Sequence, residues 1–314
     1  MNEKDYILEV YKERSFSAAA KNLYITQPAL SAAVKKAENE EGIIIFDRST
    51  SPITLTPEGK VYIDYLQKAV RLRDETRTKL TDMTELKVGK IRVSGENFVS
   101  SFIMPKIIME FTRLYPGIEV ELTESNSPDL RQLLLTDQID LLVAHDFDDN
   151  LYESEPLFEE TLLLAVPESF TVNERLKDYV LLRKDVLNGK YLKENCPKVT
   201  LSEFSECPFL LLKKGNDTRR RAAAIFQEEN FEPETVKIYL DQLITSYNMC
   251  GFGLGVTLVN DVLVKSSSET GCVYYKLAGE SVKRSMAIGY KKNAYVSKVM
   301  KAFIEVAKDV YKDF

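Results

Sequence analysis

Small and apolar residues recur with helical spacing near the start of the chain, in two stretches separated by Tyr24-Ile25. The first stretch, residues 17–23, is rich in alanine, which favours a short helix that another helix can approach closely. Thr26 is placed to cap the second stretch, and Pro28 falls in its first turn, where a missing N–H costs nothing. The residues of the second stretch that face inward are Leu30, Ala33, Val34 and Ala37. Those left on its outer face are Gln27, Ser31, Lys35 and Lys36.

A hairpin and a long helix are predicted next. Two short β-type runs, residues 43–46 and 53–55, flank a polar turn over residues 47–52. A helix is then predicted from residue 57 to about residue 87, with Thr56 as its N-cap. Its apolar positions repeat every three to four residues: Tyr62, Tyr65, Leu66, Ala69, Leu72, Thr76, Leu80 and Met83. A narrow stripe between charged faces is typical of a helix that pairs with another helix; a helix lying on its own domain is the alternative.

Strands and helices alternate over the rest of the chain. Strands over residues 91–93, 118–122 and 139–144 and helices over 98–115 and 128–136 predict a parallel α/β domain. An apolar strand over residues 162–166 leads into a second lobe. Further elements are predicted over residues 209–212, 219–230, 236–239, 242–250, 256–259, 273–277, 285–290 and 297–311, and the last of them return to the first lobe.

Composition adds limits on function. The 314 residues are 44% hydrophobic and 29% charged, without an apolar run long enough to span a bilayer and without a secretory signal at the start, which predicts a cytoplasmic location. The four cysteines lack zinc or redox spacing, so free thiols are expected, with a redox switch as the minor alternative. The single histidine, His145, follows an apolar strand, where a strand-end or cleft-rim position is expected. We therefore predict no metal site and no cofactor.

Charge is distributed unevenly along the chain. The net charge is −6, yet residues 1–88 are neutral, with 14 basic and 14 acidic side chains. Residues 12–36 hold five basic side chains against one acidic side chain. A local basic surface of this kind is what a nucleic-acid contact needs, even in an acidic protein.

Four sequence pieces give the first 60 residues a family resemblance. They are Ser-Phe-Ser-Ala-Ala-Ala from residue 15, Gln-Pro-Ala-Leu-Ser from residue 27, Phe-Asp-Arg from residue 46 and Leu-Thr-Pro-Glu-Gly from residue 55. Their order and spacing resemble the amino-terminal region of LysR-type transcriptional regulators. Periodicity alone would fit an ordinary helical hairpin equally well. Met104-Pro105 and the Cys250-to-Val256 segment resemble the effector domain of the same family.

The resemblance implies an α/β fold class with an N-terminal all-α winged helix-turn-helix and an effector part of two lobes similar to periplasmic binding proteins. Residues 1–56 would be the DNA-binding domain, 57–88 a dimerisation helix and 89–314 the effector-binding domain. The first lobe would take residues 89–165 and 268–314, and the second 166–267. The implied function is sequence-specific transcriptional regulation controlled by a small molecule of unknown class bound between the lobes. The implied partners are an inverted-repeat site in double-stranded DNA, RNA polymerase and further copies of the chain in a homodimer or homotetramer, with no membrane.

The expected DNA contacts come from the helices and the hairpin turn: Arg14, Ser17, Thr26, Gln27, Pro28, Ser31, Lys35, Lys36, Arg48 and Thr50. The expected effector contacts come from loops at helix starts: Asn97, Ser100, Ser101, Ser127, Lys213 and Asn216. Serine and asparagine at such positions are more often simple caps. Glu96 argues against a simple anion pocket and leaves the ligand class open.

Some positions depart from the family pattern. Arg14 stands where a glycine is usual, and residues 180–197 look like an insertion in the second lobe. Two other functions fit parts of the sequence: a small-molecule-binding protein without a DNA function, and an enzyme built on the two-lobed fold. The helical N-terminal region disfavours the first, and the lone histidine with no metal spacing disfavours the second. Gly251, Gly253 and Gly255 follow a helix and precede a strand, the reverse of a phosphate-binding loop.

Overall fold

A computed structural model describes residues 3–81, 88–125, 127–268 and 271–312; at 74, 75, 77, 78, 81, 127 and 128 it describes the backbone alone. The contacts divide the chain into two compact units, Met1–Met83 and Thr84–Phe314. The predicted helix end at residue 87 and Met83 lie outside the described residues. None of the described helices is long and apolar enough to span a membrane.

The N-terminal unit is built from helices and one small hairpin. Its elements are α1 (Glu3–Glu13), α2 (Phe16–Asn22), α3 (Gln27–Glu41), β1 (Phe46–Asp47), β2 (Thr54–Leu55) and α4 (Pro57–Thr81). The predicted caps are present, because the Thr26 Oγ1 accepts from the Ala29 amide (3.4 Å) and the Thr56 Oγ1 accepts from the Gly59 amide (2.9 Å). Helix α3 ends at Gly42, whose φ of +69° suits a residue without a Cβ.

The core of this unit joins all four helices to the hairpin. Its buried residues include Ile7 and Val10 of α1, Leu30 and Val34 of α3, and Leu66 of α4. Three residues of the predicted inward face of α3, Leu30, Val34 and Ala37, are therefore buried, whereas Ala33 is half-buried. The hairpin strands are shorter than predicted, since β1 begins only at residue 46 and residues 43–45 are not in a strand.

The first lobe of the C-terminal unit is an α/β layer. Its elements are β3 (Gly89–Gly95), α5 (Asn97–Phe102), α6 (Met104–Leu114), β4 (Ile118–Glu124), α7 (Ser127–Leu135) and β5 (Leu141–Ala144), followed by β6 (Tyr152–Pro167). Strand β3 pairs in parallel with β4 and with β5, as the sequence predicts. The predicted single helix over residues 98–115 is broken at Ile103, because Pro105 has no amide to donate to the carbonyl of Ser101.

The second lobe follows with α8 (Val172–Arg175), α9 (Arg183–Leu187), β7 (Phe209–Leu212), α10 (Asp217–Glu228), β8 (Val236–Leu240), α11 (Leu243–Gly251), β9 (Thr257–Asn260), α12 (Asp261–Ser266) and β10 (Cys272–Lys276). The chain ends with β11 (Lys283–Lys291) and α13 (Lys298–Tyr311), which pack in the first lobe against β5 and α6. The 180–197 segment is part of the second-lobe core, where Val186 and Tyr191 are buried.

Strand β6 belongs to both lobes. Residues 152–161 of β6 pair with β11, whereas residues 162–167 pair with β9 and β10. Because β10 pairs with the second half of β6, residues 272–276 belong to the second lobe. The sequence-based boundary, which gives residues 268–314 to the first lobe, is wrong for this strand.

Candidate functional site

A concave surface on the N-terminal unit brings together five of the predicted DNA contacts. It is lined by Arg14, Ser17, Gln27, Ser31 and Arg48, together with Ser15, Phe16, Ser51 and Ile53. Three segments supply these residues: the start of α2, the start of α3 and the hairpin turn. The surface offers hydroxyl, amide and guanidinium groups, the types that contact base edges and phosphates.

Arg48 has partners within the N-terminal unit as well as a place on the concave surface. Its guanidinium donates to Ser31 Oγ (3.0 Å) and to Glu38 Oε2 (3.1 Å), and it lies 4.6 Å from the centre of the Phe16 ring. Glu38 is nearly buried and also accepts from the amides of Ile45 (2.8 Å) and Phe46 (3.3 Å). Arg48 therefore ties the hairpin to α3, and its contact with a phosphate stays a prediction.

The remaining predicted contacts differ in their surroundings. Lys35 is exposed on α3, as are Thr26 and Pro28 at its start. Lys36 instead forms an ion pair with Glu3 of α1 (2.7 Å), so its charge is shared within the unit. The hydroxyl of Thr50, in the hairpin turn, lies 3.1 Å from that of Thr54.

The backbone conformation at Arg14 is one that suits the glycine usual at this position of the family pattern. Its φ is +48°, in the left-handed region where glycine is favoured. Its amide donates to the Val10 carbonyl (2.9 Å) and its carbonyl accepts from the Ile53 amide (3.1 Å), which holds this conformation. The exposed side chain places a cation beside the concave surface.

Helix α4 has two different surfaces. Ile63 and Leu66 are buried in the core of the N-terminal unit, whereas Leu72 and Leu80 farther along are 65% and 61% exposed. The apolar positions of this helix had two interpretations, packing on its own domain and pairing with another helix, and each fits a different part of it. Its first half lies on its own unit, and its later apolar residues face away from the described core.

A cavity of about 100 Å³ lies between the two lobes of the C-terminal unit. The first lobe contributes Glu96, Asn97, Phe98, Ser101, Phe102, Ser125, Arg131 and His145. The second lobe contributes Asn216, Asp217, Thr218, Asp241, Gln242 and Asn260, and Arg284 of β11 completes the wall. Most of these residues stand at the ends of strands or the starts of helices, the usual position of ligand sites in α/β folds.

Three of the predicted effector contacts line this cavity: Asn97, Ser101 and Asn216. Ser100 does not, because its buried hydroxyl donates to the Gly95 carbonyl (3.0 Å) and so holds the start of α5. Lys213 is not among the lining residues; its exposed side chain donates from Nζ to Asp241 Oδ2 (2.8 Å). The side chain of Ser127 lies outside what the structure describes.

Buried charges stand behind the cavity wall. Glu160 of β6 is fully buried and accepts from Arg284 Nε (2.9 Å), Asn260 Nδ2 (3.1 Å) and Arg221 Nη1. Arg284 also pairs with Asp217 at the start of α10. Burial raises the pKa of Glu160, but the charges of Arg284, of His145 when its ring is protonated, and of Arg221 outweigh it and hold that pKa below its ordinary value. The cluster joins both lobes through ionised groups.

His145 is part of the same wall, as expected of a cleft-rim residue. Its Nδ1 donates to the Ser285 carbonyl (2.8 Å), and its Nε2 lies 3.6 Å from Glu160 Oε1. Burial lowers the pKa of His145 more than the nearby Glu160 raises it. The ring is therefore neutral at pH 7.

This lowered pKa predicts a pH dependence of stability. The unfolded chain takes up a proton on His145 below about pH 6.5, while the folded chain resists it, so the C-terminal unit loses stability as pH falls through that value. The slope is at most about 1.4 kcal/mol per pH unit for one proton. Because His145 is the only histidine, His145→Gln should flatten the change between pH 7.5 and 5.5 in urea-unfolding curves. An equally steep decline in the variant would contradict the assignment to this ring.

The four cysteines are buried thiols. The Cys272 thiol donates to the Cys250 sulfur at 3.5 Å, and that hydrogen bond together with burial raises the pKa of Cys250. A thiol with a raised pKa is a poor nucleophile. The pair packs as small apolar side chains.

Sequence reasoning missed several cavity residues. Asp217, Thr218, Asp241 and Gln242 stand at the ends of elements that were predicted, so strand-end position was the available signal. No sequence signal marked Arg131 and Arg284 as cavity residues, because Arg131 lies within a helix and Arg284 lies within a strand.

Comparison with known proteins identifies both units. The family model described as LysR substrate binding domain matches residues 84–312, and that of the bacterial regulatory helix-turn-helix protein, lysR family, matches residues 1–60. The chain belongs to the LysR family. This LysR-type protein is a transcriptional regulator with a helix-turn-helix DNA-binding domain and an effector-binding domain, which confirms the predicted fold class and function.

Relatives match this LysR-type chain along nearly all its length. The uncharacterized HTH-type transcriptional regulator YcgK of Bacillus subtilis is 28% identical over 98% of the chain and 94% of its own length. Full-length CbnR complexed with its target DNA has a similar fold, with a TM-score of 0.67 and 18% identity over 98% of each chain. A full-length single-residue variant of OxyR from Pseudomonas aeruginosa has a TM-score of 0.66 and 23% identity over 99% of this chain and 97% of its own.

Proposed function

We propose that this LysR-type regulator binds an inverted-repeat promoter site as a homodimer or homotetramer and responds to a small molecule in the cleft between its lobes. The concave surface formed by α2, α3 and the hairpin turn carries the proposal. In it, Gln27 and Ser31 would face bases, and Lys35 and Arg14 would contact phosphates.

Assembly would use the later part of α4. Leu72 and Leu80 expose apolar surface on a helix with charged flanks, which is the arrangement of a helix that pairs with a second copy. Two copies would present two α3 helices to two half-sites, so the repeat in the DNA would follow the symmetry of the protein.

Ligand control would act through the lobes. A small molecule alters DNA binding only if it binds two arrangements of the protein with different affinity. A cleft with walls from both lobes would give such a difference if the lobes moved relative to each other. We propose that the protein works in the cytoplasm beside RNA polymerase and turns over no ligand, in keeping with a family of transcriptional regulators.

Lys35→Ala and Ser31→Arg test the DNA interface in gel-shift titrations with the promoter of a neighbouring gene. Lys35→Ala should weaken binding and reduce the slope of log K against log salt by about 0.9 for each phosphate that the protein no longer neutralises. Ser31→Arg should abolish specific binding, because the longer side chain fills the concave surface and displaces Arg48.

Lys68→Ala is the matched control, since that exposed lysine pairs with Asp64 on α4. If both α3 variants bind the promoter as the parent does, the assignment of this surface is wrong.

A further inference from the structure

The charged residues on the second-lobe side of the cleft cavity are paired within the protein. Asp241 accepts from Lys213 Nζ (2.8 Å). Asp217 forms ion pairs with Arg220 and with Arg284, the residue of β11 that completes the wall. The carboxylates of this wall therefore already have cations beside them.

The charged residues of the first-lobe wall are also engaged within the chain. Arg131 Nη2 donates to the carbonyls of His145 (2.6 Å) and Asp146 (3.2 Å), and Glu96 is not free either. The His145 ring is neutral at pH 7, because burial lowers its pKa. A ligand with a full charge would have to compete with existing partners on either wall, whereas an uncharged ligand leaves them in place.

Uncharged polar side chains from both lobes line the same cavity. Asn97 and Ser101 belong to the first lobe, and Thr218 and Gln242 belong to the second. Hydroxyl and amide groups can both donate and accept hydrogen bonds. The lining thus suits a ligand that offers a neutral donor together with a neutral acceptor.

Asn216 supplies an acceptor that needs a donor. Its Nδ2 donates to the Asp241 carbonyl (3.4 Å), which orients the side-chain amide in the cavity wall. Its Oδ1 is buried and has no hydrogen-bond partner among the residues that the structure describes. An N–H group satisfies such an oxygen, and leaving it unsatisfied costs free energy.

The apolar part of the lining also comes from both lobes. Phe98 and Phe102 stack in the first-lobe wall, with their ring centres 5.3 Å apart and their planes at 27°. Leu243 and Ile244 contribute apolar surface from the second lobe. A ring or short hydrocarbon chain would be removed from water between these side chains.

We propose that the effector of this regulator is a small uncharged molecule that carries an amide group on an apolar ring or chain. The amide N–H donates to Asn216 Oδ1, the amide oxygen accepts from an uncharged group of the lining, and the apolar part contacts Phe98 and Phe102. Such a ligand satisfies the orphan acceptor and leaves the ion pairs of both walls intact. The inference rests on the proposed function, because it takes the cleft to be the effector site.

Calorimetric titration of the full chain with four probes that share one ring tests the class: benzamide, benzoate, benzylamine and acetophenone. The first three differ in charge, and acetophenone has a methyl group in place of the NH₂ of benzamide. We expect benzamide to bind with a Kd below about 1 mM, at least about tenfold more tightly than the two ions and at least about fivefold more tightly than acetophenone.

A variant of Asn216 locates the N–H group. Asn216→Ala should weaken benzamide binding at least about fivefold and leave acetophenone binding unchanged, because the ketone has no donor to lose. Lys214→Ala is the matched control, since this exposed residue of the same loop is not among the lining residues, and it should leave both affinities unchanged. If Asn216→Ala loses both probes, the ratio of their affinities for the parent protein decides the matter.

Two kinds of result would overturn the proposal. One is an ion that binds as tightly as benzamide, or benzamide that does not bind at about 10 mM. The other is acetophenone that binds the parent protein as tightly as benzamide, which would show that no N–H contact is made. Gel shifts without ligand test the proposed function separately, so intact promoter binding with any of these results would overturn the amide class alone.

Discussion

Glu160→Gln is expected to lower the free energy of unfolding of the C-terminal unit by about 3–5 kcal/mol. The substitution keeps the shape of the side chain but removes the buried charge that Arg221 and Arg284 share. Arg221 would then remain in a low-dielectric site without a carboxylate partner, and Arg284 would keep only Asp217. Urea unfolding of the full chain, followed through the transition of this unit, measures the loss.

The adjacent residue provides a matched control. Glu159 is exposed on the same strand, so Glu159→Gln removes the same charge from the surface and should change stability by less than about 0.5 kcal/mol. Equal effects of the two variants would mean that the buried cluster adds nothing beyond net charge.

Glu38→Gln is expected to reduce both the stability of the N-terminal unit and its affinity for DNA. Glu38 accepts from Arg48 and from two hairpin amides, and hydrogen bonds to a charged group are worth about 1.5–3 kcal/mol. Without the carboxylate, Arg48 loses its anchor on α3 and the hairpin loses its fixed place. We expect promoter affinity to fall by about tenfold in gel-shift titrations, since about 1.4 kcal/mol of binding free energy corresponds to a factor of ten.

Glu40→Gln on the exposed side of the same helix is the comparison, because it alters the charge of α3 without touching the hairpin. A Glu38 variant that binds DNA like Glu40→Gln would show that Arg48 needs no support from α3.

Most of the helices and strands could be predicted because the residues that specify each element lie close together in the sequence. The caps at Thr26 and Thr56 and the buried positions Leu30 and Val34 follow from spacing along one helix. The parallel order of β3, β4 and β5 follows from alternation of strands and helices.

What the sequence did not predict depends on contacts between distant residues. Glu160 contacts Arg221 and Arg284, which are 61 and 124 positions away in the sequence, and no periodic pattern predicts contacts of that kind. The hydroxyl of Ser100 donates to a buried carbonyl while Ser101 lines the cavity, a difference set by one step around a helix. The pairing of β10 with β6 likewise depended on where a long strand passes from one lobe to the other.

The discontinuous first lobe has a consequence for synthesis on the ribosome. Its sheet needs β11 and its core needs α13, which begins at Lys298, whereas the N-terminal helices are complete by Thr81. At about 5–20 residues per second, the roughly 200 residues between them take about 10–40 s to translate. During that time the helical unit has all its residues, while the first half of β6 still lacks its neighbour and stays open to mispairing or to a chaperone.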